Sequence, residues 1–149
     1  APFVFYEPGF NLRSTDLNAY IGLGQVAKLD RMTEQRRRNH RRYLSRLAER
    51  FYVQRPPAES DVASISVGLL ADSTEHRRAI VHALSRHGVE TRIFSAGNLG
   101  LHPFWITRYG KKSFPVADRI HHCGFFLPNH AALTDDDVDT IARIVMEAA

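Results

Sequence analysis

Cysteine occurs once, at Cys123. A single thiol excludes an internal disulfide framework and fits a reducing compartment. Lysine is nearly absent too. Only Lys28, Lys111 and Lys112 stand among 20 basic residues, so the positive charge is almost all arginine, whose planar fork suits phosphate and carboxylate. No apolar run approaches the roughly 20 residues of a membrane-spanning helix. The first residues, Ala1-Pro2-Phe3-Val4-Phe5, have neither the basic region nor the long apolar stretch of a secretory leader, and a cytoplasmic protein is expected. There is no internal repeat and no low-complexity tract. CxxC and HxxxH spacings are missing as well. His121, His122, Cys123 and His130 are the nearest thing to a metal cluster, but adjacent histidines point in different directions, and no metal site is expected. Cys123 lacks an accompanying oxyanion-hole motif, so burial beside Phe125 and Phe126 is expected instead of nucleophilic work.

What is present describes an ordinary globular domain. Hydrophobic residues make up 44% of 149 positions and charged residues 24%, enough for one core. The net charge of +4 is concentrated in Arg36-Arg37-Arg38-Asn39-His40-Arg41-Arg42, while the C-terminal part is acidic. A run of this kind reads as a solvated helix face, as a set of interface ion pairs, or as a phosphate-binding patch. No aromatic platform is interleaved with it and no nucleic-acid module surrounds it, so nucleic acid is not the expected partner.

The chain opens on an aromatic arm with Phe3, Phe5 and Tyr6, followed by the turn Pro8-Gly9 and the polar loop Asn11-Leu12-Arg13. Ser14 or Thr15 then caps a helix expected over residues 15–31, with Asp16 at the favourable end of its dipole. Leu17, Tyr20, Ile21, Gly24 and Ala27 recur at helical spacing. Ala19, Gly22 and Gly24 are too small to fill space, so another backbone is expected to come close. A second helix is expected over residues 33–51, amphipathic through Tyr43, Leu44 and Leu47, and a proline-bearing linker follows at residues 54–60. Ile65, Val67 and Leu69 alternate as a strand. Asp72 and Glu75 suggest a capping box for the next helix, which carries Ala79, Ile80, Ala83 and Leu84 and stops at Gly88. Residues 89–95 read as a strand, residues 96–105 as a loop, residues 116–122 as a short helix and residues 125–128 as a buried strand. Thr134 caps the last helix, whose buried face is expected to carry Val138, Ile141, Ala142, Val145 and Met146.

This order predicts an α+β fold, with two long N-terminal helices followed by a small, mainly antiparallel sheet covered by helices. Residues 1–54 form an aromatic arm and two-helix assembly segment, and residues 55–149 a small α+β domain, together one unit. In the loop of residues 96–105, Gly97 and Gly100 would let backbone N–H groups approach a ligand. Asn98 offers a donor and an acceptor, and His102 precedes a proline that holds it extended. A ligand-facing loop and a structural loop closed by Phe104 and Trp105 fit this composition equally.

Three ordered blocks resemble one family. They are Pro8-Gly9-Phe10-Asn11-Leu12-Arg13-Ser14-Thr15-Asp16-Leu17 with the following AYIGLGQVAKL and Arg36, Arg37 and Asn39; Gly88-Val89-Glu90-Thr91-Arg92 with Ser95-Ala96-Gly97-Asn98-Leu99; and Val116-Ala117-Asp118-Arg119-Ile120 through Gly124-Phe125-Phe126-Leu127-Pro128 to Leu133-Thr134-Asp135-Asp136-Asp137-Val138. Together they resemble the carboxy-terminal part of the DegT/DnrJ/StrS family, fold-type I pyridoxal-phosphate enzymes acting on nucleotide-linked keto-sugars. The AGNL segment is most similar to the keto-deoxysugar 3-dehydratases and their lipopolysaccharide-synthesis relatives. The resemblance implies a small domain of that fold. It also implies that Asn11 reaches the cofactor phosphate of a neighbouring subunit, with Arg13 near the cofactor and Gly97, Asn98 and His102 near the sugar nucleotide. The family's large amino-terminal domain, with its Schiff-base lysine (a histidine in the dehydratases), would precede Ala1. Lys28, Lys111 and Lys112 do not match that lysine. Residues 1–149 by themselves are therefore expected to bind no cofactor and to carry out neither transamination nor dehydration. A homo-oligomer, a large-domain partner chain and a nucleotide-sugar are the partners expected; the alternative reading is a free-standing interaction protein without ligand, or a nucleic-acid binder through the run from Arg36 to Arg42.

Overall fold

The computed structural model describes residues 4, 6, 7, 9, 15–54 and 56–148. The first helix, α1 (Asp16–Val26), starts where its capping chemistry dictates. Thr15 is extended, and its hydroxyl accepts the Asn18 N–H at 3.3 Å. A short turn at Ala27 and Lys28 ends α1, and α2 (Leu29–Leu47) begins at once. The boundary between the helices therefore lies a few residues earlier than the periodicity predicts. Helix α2 stops short of the expected residue 51, and a two-residue strand, β1 (Tyr52–Val53), lies between that expected end and the linker. Beyond it come β2 (Ser66–Leu70), α3 (Thr74–Arg86), β3 (Arg92–Ile93), a 3₁₀ turn at Leu99–Leu101, α4 (Pro103–Tyr109), α5 (Pro115–Cys123), β4 (Gly124–Pro128) and α6 (Asp135–Glu147). Strand β3 is much shorter than the expected 89–95. Helix α4 falls where a loop was predicted, with Pro103 at its first position, where a missing N–H costs nothing.

The four strands run in the order β1-β2-β4-β3, each neighbouring pair antiparallel. The predicted α+β class with a small antiparallel sheet is what the chain forms. Val67 faces Leu127 and Leu69 faces Phe125 across the central pair, so all four project into one buried layer. Tyr43 and Leu47 of α2, Ile80 and Leu84 of α3, and Val138, Ile141 and Val145 of α6 close that layer. Met146 is 43% exposed and Ile144 takes the buried position instead. Ala79 is exposed, whereas Val81 packs on the core. On the other face of the sheet Phe94 stacks on Phe126 with centroids 4.3 Å apart. Gly68 leaves the room for that stack, since a Cβ there would meet the Phe94 ring at 2.4 Å.

Local signals fix the helix ends. Ser73, not Asp72, caps α3 by accepting the His76 N–H at 3.1 Å, while Asp72 pairs with Arg50 at 2.9 Å. Gly88 leaves α3 at φ +73°, the Val89 N–H reaching the Leu84 carbonyl and the Gly88 N–H the Ser85 carbonyl. On α6, Thr134 and Asp137 exchange reciprocal bonds in a capping box.

The arginine run of α2 binds the acidic start of α6. Arg42 holds Asp139 through two bonds of 2.7 and 2.8 Å and reaches Asp135 at 3.1 Å. Arg46 meets Asp139 at 3.0 Å, Arg38 meets Asp135, and Arg37 meets Asp61 at 2.8 Å. Hydrogen bonds from Arg42 and then Arg46 hold the Asp139 carboxyl far below its usual range. The run is thus neither a bare solvated face nor an open phosphate patch. Its side chains are largely engaged within the chain, with partners more than 90 positions away in sequence for the α6 pairs.

Candidate functional site

Two features are candidates for function, the face of α1 and the braced loop after β3. Of the residues of α1, none is buried. Tyr20 is 76% exposed and Leu23 73%, and Leu17, Ile21 and Val26 are exposed as well. A Cβ at Gly22 or Gly24 would meet nothing within 4 Å. The close backbone approach that these glycines suggest is therefore not made by the described residues. Asn11 and Arg13, just upstream, lie outside the described residues.

The second feature is built by backbone geometry. The chain leaves β3, stacks Phe94, and turns sharply through Ser95 (φ +49°) and Gly97 (φ +64°), closed by the Gly97 N–H to the Phe94 carbonyl at 2.8 Å. Asn98 follows and is almost fully buried. Its Oδ1 accepts the Gly100 N–H at 2.8 Å, which starts the 3₁₀ turn, and its Nδ2 donates to Asp118 on α5. The Asn98 N–H donates to His121 Nδ1 at 3.2 Å. His102 is also buried, its Nε2 2.8 Å from the Ala96 carbonyl oxygen. Gly97, Asn98 and His102 thus belong to one assembly, with the two polar side chains bonded within it.

Asp118 and His121 brace this loop from α5. Asp118 accepts from the Ser113 hydroxyl at 2.6 Å and from the Phe114 N–H at 3.1 Å as well as from Asn98. The Ser113 and Asn98 bonds hold its carboxyl below the usual range. Burial, then the neighbouring His122 and His102, hold the His121 ring below the usual histidine value. A ring that accepts at Nδ1 carries its proton on Nε2 when neutral. Sequence reasoning considered His121 only within a metal cluster with His122, Cys123 and His130. The signal for its other role was the three-residue spacing of Asp118 and His121, which sets both on one side of α5. Among the described residues, no group of three or more His, Cys, Asp or Glu side chains converges on a metal position, and Cys123 is buried. No helix of the described residues is long and apolar enough to cross a membrane.

Gly97 tests how firmly the loop is held. A Cβ there would lie 2.1 Å from His121 Nδ1 in a backbone region that side chains disfavour. Gly97→Ala is expected to lower stability by about 1–3 kcal/mol. Faster hydrogen exchange should appear at the Asn98 and Gly100 amides. Unchanged protection at both would show that the loop does not depend on this packing.

Two open clefts flank the site. One, of about 520 Å³, lies along β3 and the outer sheet face by Ile65, Arg92, Ile93, Phe126 and Pro128. The other, also about 520 Å³, is bounded by Leu101, Lys111, Lys112, Ser113, Asp118 and His122. Lys28, Lys111 and Lys112 are all exposed, and none sits in an enclosed cradle.

Comparison with known proteins gives a consistent result. The model of the DegT/DnrJ/EryC1/StrS aminotransferase family matches residues 2–146. A dTDP-4-dehydro-2,6-dideoxy-D-glucose 3-dehydratase of Saccharopolyspora spinosa is 27% identical, over 97% of this chain and 33% of its own length. A GDP-4-keto-6-deoxy-D-mannose 3-dehydratase of Escherichia coli O55:H7 is 28% identical, over 96% of this chain and 38% of its own. A solved E. coli GDP-4-keto-6-deoxy-D-mannose-3-dehydratase with bound hydrated pyridoxal phosphate superposes with a TM-score of 0.74 at 24% identity, over 97% of this chain and 38% of that one, and shows the shared fold. The chain spans about a third of the length of the curated relatives it matches.

Proposed function

The chain belongs to the DegT/DnrJ/EryC1/StrS aminotransferase family, and from that premise we propose that residues 1–149 act as its small-domain module. The family comprises pyridoxal-phosphate-dependent sugar aminotransferases and dehydratases. In this reading the module completes a cofactor site whose reacting groups lie on another segment, carried by the same polypeptide or by a partner. Residues 1–54 present the assembly face, and α2 ties it to the α+β body of residues 55–149. Asn11 donates to the cofactor phosphate across the interface, with Arg13 beside it. The loop of Gly97, Asn98 and His102 borders the sugar nucleotide.

The observation that carries this reading is α1. The rest of the chain has a closed core without it, yet α1 carries Leu17, Tyr20, Ile21, Leu23 and Val26 against only Asp16, Asn18 and Gln25 as polar residues, and it buries none of them. A helix of that composition is normally enclosed. The large domain of the family is the occupant that the length comparison favours.

The test is the visible absorbance of protein-bound pyridoxal phosphate. Residues 1–149 alone are expected to show none. Addition of the amino-terminal segment of a relative should produce a stable complex that retains the cofactor, and Asn11→Ala should weaken retention about tenfold, as loss of a charge-assisted hydrogen bond does. Bound cofactor in residues 1–149 alone would overturn the reading.

A further inference from the structure

The linker of residues 56–64 has neither helix nor strand, yet it is tied to the fold along its length. The Ser60 N–H closes a turn on the Pro57 carbonyl at 2.9 Å. Asp61 then pairs with Arg37 of α2 at 2.8 Å. Asn129 is fully buried, and its Nδ2 donates to the Ser64 carbonyl at 2.8 Å and to the Arg36 carbonyl at 3.1 Å. Linker and helix thus share one clamp. The Ser64 hydroxyl accepts the Ser66 N–H at 3.0 Å and leads the chain into β2. Two walls fixed in this way do not close on each other. Between them lies a cleft of about 460 Å³, a volume that suits a small molecule.

His40 of α2 lines that cleft. It is 9% exposed, and the surface it keeps opens on the cleft. Among the described residues it has neither a hydrogen-bond nor an ion-pair partner. Burial holds the ring below the usual histidine value, so at neutral pH it is uncharged, with one nitrogen donating and the other accepting. The walls around it are largely apolar, formed by Leu44, Val53, Pro56, Val62 and Phe126, and no described lining residue carries a charge. The Ser64 hydroxyl, which also borders the space, is already committed to the Ser66 backbone. A buried imidazole without a partner is an unmet hydrogen bond. Here it faces open space.

We propose that this cleft is a binding site for a small uncharged molecule with an apolar body and one hydroxyl group, which pairs with His40. A hydroxyl both donates and accepts, so it satisfies whichever ring nitrogen it meets. The apolar walls take the rest of the ligand out of water. A carboxylate or a phosphate fits less well, because it would give up its hydration with no cation among the described lining residues to replace it. An ammonium group meets no carboxylate there either. The cleft shares no lining residue with the loop of Gly97, Asn98 and His102, so the inference goes beyond the small-domain reading and does not depend on it.

Phenol, toluene and benzoate test it on the whole chain, since the three probes share one ring and differ in a single group. Titrations are followed by NMR at the His40 ring protons at neutral pH. Phenol should move those signals and bind with a dissociation constant of about 1 mM or below. Toluene should bind at least about fivefold more weakly, having no partner for the imidazole, and benzoate should bind more weakly than phenol as well. His40→Leu keeps the buried position filled with an apolar group, so its thermal midpoint should not fall, while the preference for phenol over toluene disappears. Val62→Phe narrows the cleft from the linker side and should weaken phenol binding with His40 intact. Unmoved His40 signals in phenol at about 10 mM overturn the proposal and leave the cleft as a hydrated gap. So does benzoate binding as tightly as phenol, or a preference for phenol that survives in His40→Leu. None of these results depends on α1 or on a cofactor, so a failed cleft and a failed assembly are read separately.

Discussion

Phe125→Ala should lower the free energy of unfolding by about 3–5 kcal/mol, as truncation of a fully buried aromatic does. Phe125 has no solvent exposure and is the second residue of β4, paired with Leu69 on one side and Ile93 on the other. It belongs to the same buried cluster as Ile80, Leu84, Val138 and Val145. One side chain therefore holds the central strand against both α3 and α6. Domains of this size are stable by about 5–15 kcal/mol in total, so the loss is a large fraction. Urea denaturation should show a lower midpoint with the slope unchanged. Phe126→Ala is the control. Phe126 is only partly buried, on the other face, against Phe94 and Gly68. Its loss should cost clearly less than that of Phe125. Equal costs at the two positions would mean that the outer face is as closed as the inner one, and that the single-core description is wrong.

The same strand shows what a sequence can reveal. The run of Phe125 to Pro128 is short, apolar and bounded by turn signals, and it forms the buried β4. Capping chemistry is equally local, which is why Thr15, Thr134 and Gly88 lie where their side chains or backbone freedom predict. Asp72 and Ser73 are adjacent capping residues, and which one caps depends on Arg50 taking the aspartate. Helix α4 escaped notice because PFWITRY has no polar face to set a period. Strand β1 is two residues long and exists through its pairing with β2. The arginine run is visible in sequence, but its partners Asp135 and Asp139 become neighbours only when α2 packs on α6. In the loop, the residue types at Gly97, Asn98 and His102 pointed to a special turn. The brace from Asp118 and His121 was legible only as a helical spacing with no stated target.

Leu17→Glu with Ile21→Glu should convert an associating chain to a monomer. Leu17 is 67% exposed and Ile21 56%, on a helix that buries none of its residues. When residues 1–149 stand alone, a second copy is the surface available to cover them. Burying two such side chains is worth about 3–6 kcal/mol, and the double substitution should weaken association by about 10²–10⁴-fold. Sedimentation equilibrium measures this directly. The fold should not suffer, because α1 contributes nothing to the core, so the urea midpoint should stay where it was. Val116→Glu, an equally polar change at a residue 75% exposed on α5, should leave association intact. Gly24→Leu separates two ways of covering α1. A new side chain there meets nothing within the described residues, so folding tolerates it apart from any gain in helix propensity. If another backbone approaches at the glycines, Gly24→Leu should weaken association as the glutamates do. If the covering surface touches only the large side chains, Gly24→Leu should strengthen association. Association unchanged by the two glutamates would remove α1 from the interface altogether, and with it the face through which the module is proposed to complete a cofactor site.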